Sequence, residues 1–132
     1  MVLKDQLYQI TGKESSEHGI SYGIALQASH EIYQAHFPGE PVTPGVCIIQ
    51  MVKELAEEHL GVQMEIKAVK NVKFLSVLSP VEHPQALCTF EKITEEGDSC
   101  TMSVSVTDTR GETTFAKISM TADVSEVLDR NL

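Results

Sequence analysis

Larger apolar residues alternate with small or polar residues over positions 20–27. Ile20, Tyr22, Ile24 and Leu26 have one parity, and Ser21, Gly23, Ala25 and Gln27 have the other. A period of two is typical of a strand with one buried face. Residues 28–43 have no periodicity and contain Pro38, Gly39 and Pro41. They are predicted to form a long irregular connection, and connections of this length usually carry functional residues.

From Pro44 onward the pattern changes to that of a helix. The apolar positions Ile48, Ile49, Val52, Leu55, Ala56 and Leu60 follow the spacing of one helical face. Gly61 is the residue type that commonly ends a helix. The predicted helix spans about residues 45–60, and it is the only strong helical signal in the sequence.

Four further segments, at 66–79, 85–93, 99–107 and 113–122, have strand-like patterns. Residues 95–98 and 108–111 combine polar residues with glycine and are predicted to form hairpin turns. The predicted order is one or two strands, a loop, one helix and a meander of strands. This order indicates an α+β fold in which a curled antiparallel sheet wraps around a central helix.

The composition limits the classes of partner. The chain has 132 residues and a net charge of −9. Nucleic acids and anionic membranes attract basic surfaces, so neither is an expected partner. No apolar run reaches the ~20 residues of a membrane-spanning helix, and Lys4 and Asp5 interrupt the region where a signal peptide would be apolar. We therefore expect a cytoplasmic protein with a single domain over residues 1–132.

The most informative stretch is His36–Gln50, with the sequence HFPGEPVTPGVCIIQ. It closely resembles the motif that leads into the central helix of the hotdog-fold (3R)-hydroxyacyl-acyl-carrier-protein dehydratases. Residues 72–81, VKFLSVLSPV, are similar to the strand of that family that borders the acyl tunnel. The resemblance extends from about Ser21 to Thr121, and it implies a hotdog fold.

The residue types in this motif suit the implied reaction. Dehydration of a 3-hydroxyacyl thioester needs a base for the α-proton, a stabiliser for the enolate oxygen and a proton for the departing hydroxyl. Imidazole is basic at cellular pH, so His36 is predicted to be the base. Gly45 lies where the helix begins, and its N–H is predicted to face the thioester oxygen. The other histidines, at positions 18, 30, 59 and 83, lack this context and are predicted to be surface residues.

One position departs from the family pattern. The family has a catalytic Glu or Asp six residues after the Pro of Pro-Gly, and that position is Gln50 here. Glu54 lies one helical turn later, where the family typically has Gln, so the two residues look exchanged. Either Glu54 replaces the missing proton donor, or Gln50 orients the hydroxyl while His36 makes both proton transfers. An ordinary solvated polar face is the alternative for this part of the helix.

The resemblance implies that the protein converts a 3-hydroxyacyl chain on acyl carrier protein or coenzyme A to the trans-2-enoyl thioester. His36, Gln50 and Glu54 are the candidate catalytic residues, and Gly45, Val46, Phe37 and Phe74 the candidate substrate-binding residues. A hotdog-fold thioesterase and a non-catalytic acyl-thioester-binding protein are the alternatives. A homodimer is expected, with a trimer of dimers as the larger assembly. Cys47, Cys88 and Cys100 match no ligand spacing, and no metal or cofactor is expected.

Overall fold

The computed structural model describes residues 1–128. The strands are β1 (Tyr8–Ser16), β2 (Gly19–Leu26), β3 (Val62–Phe74), β4 (Gln85–Glu96), β5 (Ser99–Thr107) and β6 (Thr114–Val127), and the helices are α1 (Ile32–Ala35) and α2 (Gly45–Leu60). The strands form one six-stranded sheet in the order β1-β2-β4-β5-β6-β3. Every pair of neighbouring strands is antiparallel. The sheet curls around α2, which confirms the predicted α+β architecture.

The central helix has the predicted limits because both of its ends are determined locally. It begins after Pro44, and Gly61 follows its last residue with a left-handed backbone, φ 66°. Its buried stripe comprises Cys47, Ile48, Met51, Val52, Glu54, Leu55 and Ala56. The apolar members join inward-facing side chains of the sheet in one core cluster. No helix within residues 1–128 is long and apolar enough to span a membrane.

The strands differ from the sequence pattern at four places. β4 and β6 continue to Glu96 and Val127, beyond the predicted ends at 93 and 122, because their last residues pair with β5 and β3. β1 has one buried residue, Tyr8, so it gives no alternating signal and depends on pairing with β2. β3 begins four residues before the predicted segment 66–79, because Val62 pairs with Val127 of β6. It ends at Phe74, before a connection that contains Pro80 and Pro84. The three cysteines are buried free thiols.

The second half of β3 is not covered by the rest of the chain. Every residue from 67 to 77 is exposed, whereas Val62 and Met64 at the start of the strand are buried. Register shifts on either side of Lys67 and Lys70 leave these two residues without partners in β6. An edge strand with two exposed faces offers both backbone hydrogen bonds and apolar side chains to another chain.

Candidate active site

The loop that carries His36 is held at both ends. The His36 N–H donates to the first carbonyl of α1 at 3.0 Å, and the Val42 N–H donates to the His36 carbonyl at 2.8 Å. The hydroxyl oxygens of Tyr33 and Thr43 lie 2.9 Å apart, and both side chains are buried. A buried hydrogen bond between the two ends of a loop restricts its motion. His36 therefore occupies a defined position although it lies outside regular secondary structure.

His36 faces a pocket of about 360 Å³ at the N-terminal end of α2. Gly45, Ile48, Phe74 and Leu78 supply much of its wall. The imidazole stacks on the ring of Phe37, with 4.2 Å between the ring centroids; the peptide bond between these two residues is cis. The pocket therefore combines one titratable group with a predominantly apolar wall, as small-molecule sites commonly do.

The first turn of α2 has two free backbone donors, and Gly45 makes a close contact in this pocket. Among residues 1–128, no backbone carbonyl accepts a hydrogen bond from the N–H of Gly45 or Val46. Such donors at the start of a long helix favour an oxygen atom with negative charge. A Cβ at position 45 would lie 2.6 Å from Cζ of Phe74. Any larger residue at position 45 would therefore displace the phenylalanine ring.

Gln50 and Glu54 lie in a different cleft, of about 490 Å³, between α2, the first residues of the chain and the start of β3. The Gln50 side-chain nitrogen donates to Oε2 of Glu54 and to the carbonyl of Met1, both at 2.9 Å. His36 does not line this cleft. Within one chain, the candidate base and the candidate hydroxyl-orienting residue therefore belong to separate pockets.

Glu54 is buried beneath the N-terminal segment. Its Oε2 accepts from the Leu3 N–H at 2.8 Å, and its Oε1 accepts from the Lys4 N–H at 2.8 Å and the Tyr8 hydroxyl at 3.0 Å. Burial and the neighbouring carboxylate raise the pKa of Tyr8, so its hydroxyl remains a donor. The ammonium of Lys4 contacts Glu58 at 3.2 Å. The described hydrogen-bond donors to Glu54 are thus all neutral groups.

Two candidate substrate-binding residues, Phe37 and Val46, are exposed. Phe37 and Val46 flank the His36 pocket but do not line it, and their side chains are 52% and 65% exposed.

Cys47 is buried in the first turn of α2, and burial raises the pKa of its thiol, which favours packing over nucleophilic chemistry. Of the histidines predicted to be surface residues, His18 is exposed, whereas positions 30, 59 and 83 are half-buried.

Sequence reasoning did not identify the residues that support this site. Tyr33 and Thr43 fall in the segment without periodicity, so the pattern gave no reason to pair them. The contacts of Glu54 with the N-terminal segment join residues about fifty positions apart, which is beyond any local pattern. The one available signal was the position of Glu54 on the helix. It lies three residues after buried Met51 and seven after buried Cys47, at the margin of the apolar stripe.

Solved structures with the same architecture define the class of protein. The dehydratase heterocomplex ApeI:P from Xenorhabdus doucetiae aligns with a TM-score of 0.62 and 19% identity, covering 86% of this chain and 96% of that one. A hypothetical thioesterase with coenzyme A from Streptococcus pneumoniae aligns with a TM-score of 0.63 and 11% identity, covering 92% and 88%. These similarities show the fold, and this protein is a hotdog-fold protein.

Sequence comparison identifies the family. The ApeI-like family model, described as ApeI dehydratase, matches residues 12–118, and the chain belongs to this family. A 3-hydroxyacyl-[acyl-carrier-protein] dehydratase FabZ from Clostridium acetobutylicum is 29% identical over 87 residues, which cover 61% of this chain and 59% of that protein. FabZ from Bacillus pumilus is 27% identical over 123 residues, covering 92% and 76%. The chain thus spans less than two thirds of the first of these relatives.

Proposed function

We propose that this protein dehydrates a (3R)-3-hydroxyacyl thioester to the trans-2-enoyl thioester, with His36 as the base. The observation that carries the proposal is that His36 and the first residue of α2, Gly45, line one largely apolar pocket. A base and free N–H donors beside an apolar wall match the needs of α-proton removal next to a carbonyl. Membership of a dehydratase family supports the same reaction class.

In the proposed reaction His36 is the only group of the protein that takes up and releases a proton. The neutral imidazole takes the α-proton while the N–H of Gly45 stabilises the developing enolate oxygen. The enolate electrons then form the α,β double bond and expel the 3-hydroxyl group. The imidazolium returns its proton to that leaving group, which departs as water. Gln50 orients the hydroxyl by a hydrogen bond and exchanges no proton, since a neutral amide is neither an acid nor a base at cellular pH.

The proposal requires a second copy of the chain, so that His36 of one protomer meets Gln50 of the other. The exposed second half of β3 supports this requirement. Val69, Val72, Phe74 and Leu75 expose 37–53% of their surface along an unpaired sheet edge. Interfaces that complete such apolar surfaces are commonly obligate and bury ~2,000 Å² or more. Sedimentation distinguishes a homodimer from a trimer of dimers. The cytoplasmic location of the protein remains a prediction.

Acyl carrier protein is the proposed carrier, because the names of the FabZ relatives specify it. Carrier proteins of this kind are acidic, and β3 offers exposed Lys67, Lys70 and Lys73 on a chain with a net charge of −9. Lys73 also pairs with Lys117 of β6 in the sheet register. Lys73→Glu should slow turnover of carrier-bound substrate and spare a short thioester analogue. Lys92→Glu, at an exposed position of β4, is the matched control.

Thioester hydrolysis is the second candidate, and the neutral amide at position 50 favours it specifically. With both hydrogens of its nitrogen engaged, Gln50 has an amide oxygen left to accept a hydrogen bond from a water molecule. A water oriented in this way would suit attack on a thioester carbonyl. Because position 50 has an amide where the family has a carboxylate, a third possibility is an acyl-thioester-binding protein without turnover.

One assay distinguishes the three functions. Purified protein is given 3-hydroxyacyl and saturated acyl thioesters, while enoyl formation and free thiol release are followed separately. Enoyl formation without thiol release supports dehydration, thiol release from the saturated substrate supports hydrolysis, and binding without either supports the non-catalytic function. His36→Ala should abolish enoyl formation, and His18→Ala, at an exposed position, is the matched control. A His36→Ala variant that retains full dehydratase activity would contradict the proposal.

A further inference from the structure

The amide group of Gln50 is held in one orientation. Its nitrogen lies 2.9 Å from the Met1 carbonyl oxygen and 2.9 Å from Oε2 of Glu54. A carbonyl oxygen and a carboxylate oxygen both accept, so the side of the amide that faces them must be the NH₂ group. Among the described residues, no donor reaches Oε1 of Gln50. The amide therefore keeps a free acceptor and has no free donor.

Glu54 is itself held as an acceptor. Its two oxygens accept four hydrogen bonds from Leu3, Lys4, Tyr8 and Gln50, at 2.8–3.0 Å. The residue is only 8% exposed. Each oxygen of Glu54 thus accepts two hydrogen bonds, so both oxygens are engaged within the chain. The contacts therefore leave Glu54 no free oxygen with which to reach a substrate.

We infer that Glu54 is a positioning residue, which together with the Met1 carbonyl holds Gln50 so that Oε1 accepts a hydrogen bond from the reacting hydroxyl. The part of this inference in which Oε1 of Gln50 accepts from the substrate hydroxyl rests on the proposed function. The inference assigns the N-terminal segment, residues 1–4, to the support of the site. It also assigns Glu54 a role different from that of a relocated proton donor.

Loss of Glu54 should affect turnover through Gln50 alone. Without this acceptor only the Met1 carbonyl holds the amide, which then presents NH₂ to the hydroxyl for part of the time. A misdirected group in an active site lowers turnover by roughly ten- to a hundredfold. We therefore expect Glu54→Met to lower kcat by about this factor, with a smaller change in KM.

A double-mutant cycle separates positioning from a structural role. Glu54→Met is introduced into the wild-type chain and into Gln50→Leu. The inference predicts the full loss of kcat in the first background and no further loss in the second. Equal losses in both backgrounds would overturn it. Tyr8→Phe is the control, because it removes a 3.0 Å hydrogen bond to Glu54 without touching Gln50; it should lower stability and leave kcat unchanged.

A second measurement does not depend on activity. In protein labelled with ¹⁵N-glutamine, the side-chain NH₂ signal of Gln50 is assigned by its absence in Gln50→Leu. Both hydrogens should exchange slowly with water in the wild type and in Tyr8→Phe, and rapidly in Glu54→Met. Fast exchange in the wild type, or unchanged protection in Glu54→Met, would refute the inference. If no thioester is converted but the amide is protected, the proposed function fails and the positioning of Gln50 stands.

Glu54→Gln replaces Glu54→Met if the latter does not fold. The Leu3 and Lys4 N–H groups bond to different oxygens of Glu54. One amide oxygen cannot satisfy both, so protection of the Gln50 amide and kcat should both fall, by less than in Glu54→Met. Wild-type protection together with wild-type kcat in Glu54→Gln would count against the inference.

Discussion

Substitution of Gly45 by alanine tests the geometry of the His36 pocket. The added Cβ would lie 2.6 Å from Cζ and 2.7 Å from Cε2 of Phe74. Carbon atoms in contact are normally ~3.5–4.0 Å apart, so the ring must move by about 1 Å. Phe74 is 49% exposed, which leaves it room to move toward solvent. The ring also lines the pocket, so its displacement changes the space available to a substrate.

The expected change in stability is small. Overpacking commonly destabilises a protein by ~1–3 kcal/mol, and a half-exposed ring places this case near ~1 kcal/mol. Replacing glycine in a helix-compatible conformation stabilises by ~0.4–1 kcal/mol, because the unfolded chain loses freedom. The two effects nearly cancel, so the free energy of unfolding should change by less than ~1 kcal/mol. The kcat/KM should fall by about tenfold or more, since a misplacement of 1 Å is sufficient.

Urea denaturation at a fixed protomer concentration measures the free energy of unfolding of Gly45→Ala, and steady-state kinetics measures its kcat/KM. Gly12→Ala is the matched control for the backbone effect, because its Cβ would meet no atom within 4 Å. The Gly45→Ala/Phe74→Leu double variant should be more stable than expected from the two single changes, since the contact is relieved. A loss above ~3 kcal/mol in Gly45→Ala, or full activity with the ring displaced, would refute this reasoning.

Three further changes test other parts of the structure. Tyr33→Phe leaves the buried hydroxyl of Thr43 without its partner and should lower the free energy of unfolding by ~1–2 kcal/mol in urea, whereas Tyr22→Phe, whose hydroxyl makes only a 3.4 Å contact, should cost less. Burial and a nearby lysine lower the pKa of His59 below its ordinary 6.5. The unfolded chain therefore binds the proton more readily, so stability should fall as the pH drops below about 6.5, and His59→Gln should reduce this dependence. Val72→Asp should shift a sedimenting dimer to monomer at micromolar concentration; a wild-type monomer would contradict the proposed interface.

Local signals explain why α2 was predicted correctly. Pro44, Gly61 and the spacing of apolar residues all lie within or beside the helix, and the structure places its ends at Gly45 and Leu60. The strand β2 was likewise indicated by its own alternation. The sequence left open whether β1 exists, because its residues other than Tyr8 and half-buried Ile10 are exposed. Its conformation comes from hydrogen bonds to β2, which a one-dimensional pattern does not contain.

The His36 pocket and the Gln50 cleft likewise differ in how far local sequence signals determine them. His36 and Gly45 are nine positions apart in one motif, and one loop and one helix terminus are enough to bring them to the same pocket. Gln50 is only five residues further along, but a helix turns ~100° per residue, and it faces a different cleft. Glu54 and the Met1 carbonyl then decide which atom of its amide is free. The motif therefore forms a single site only if a second chain brings His36 to Gln50, so the proposed catalysis depends on the exposed edge of β3.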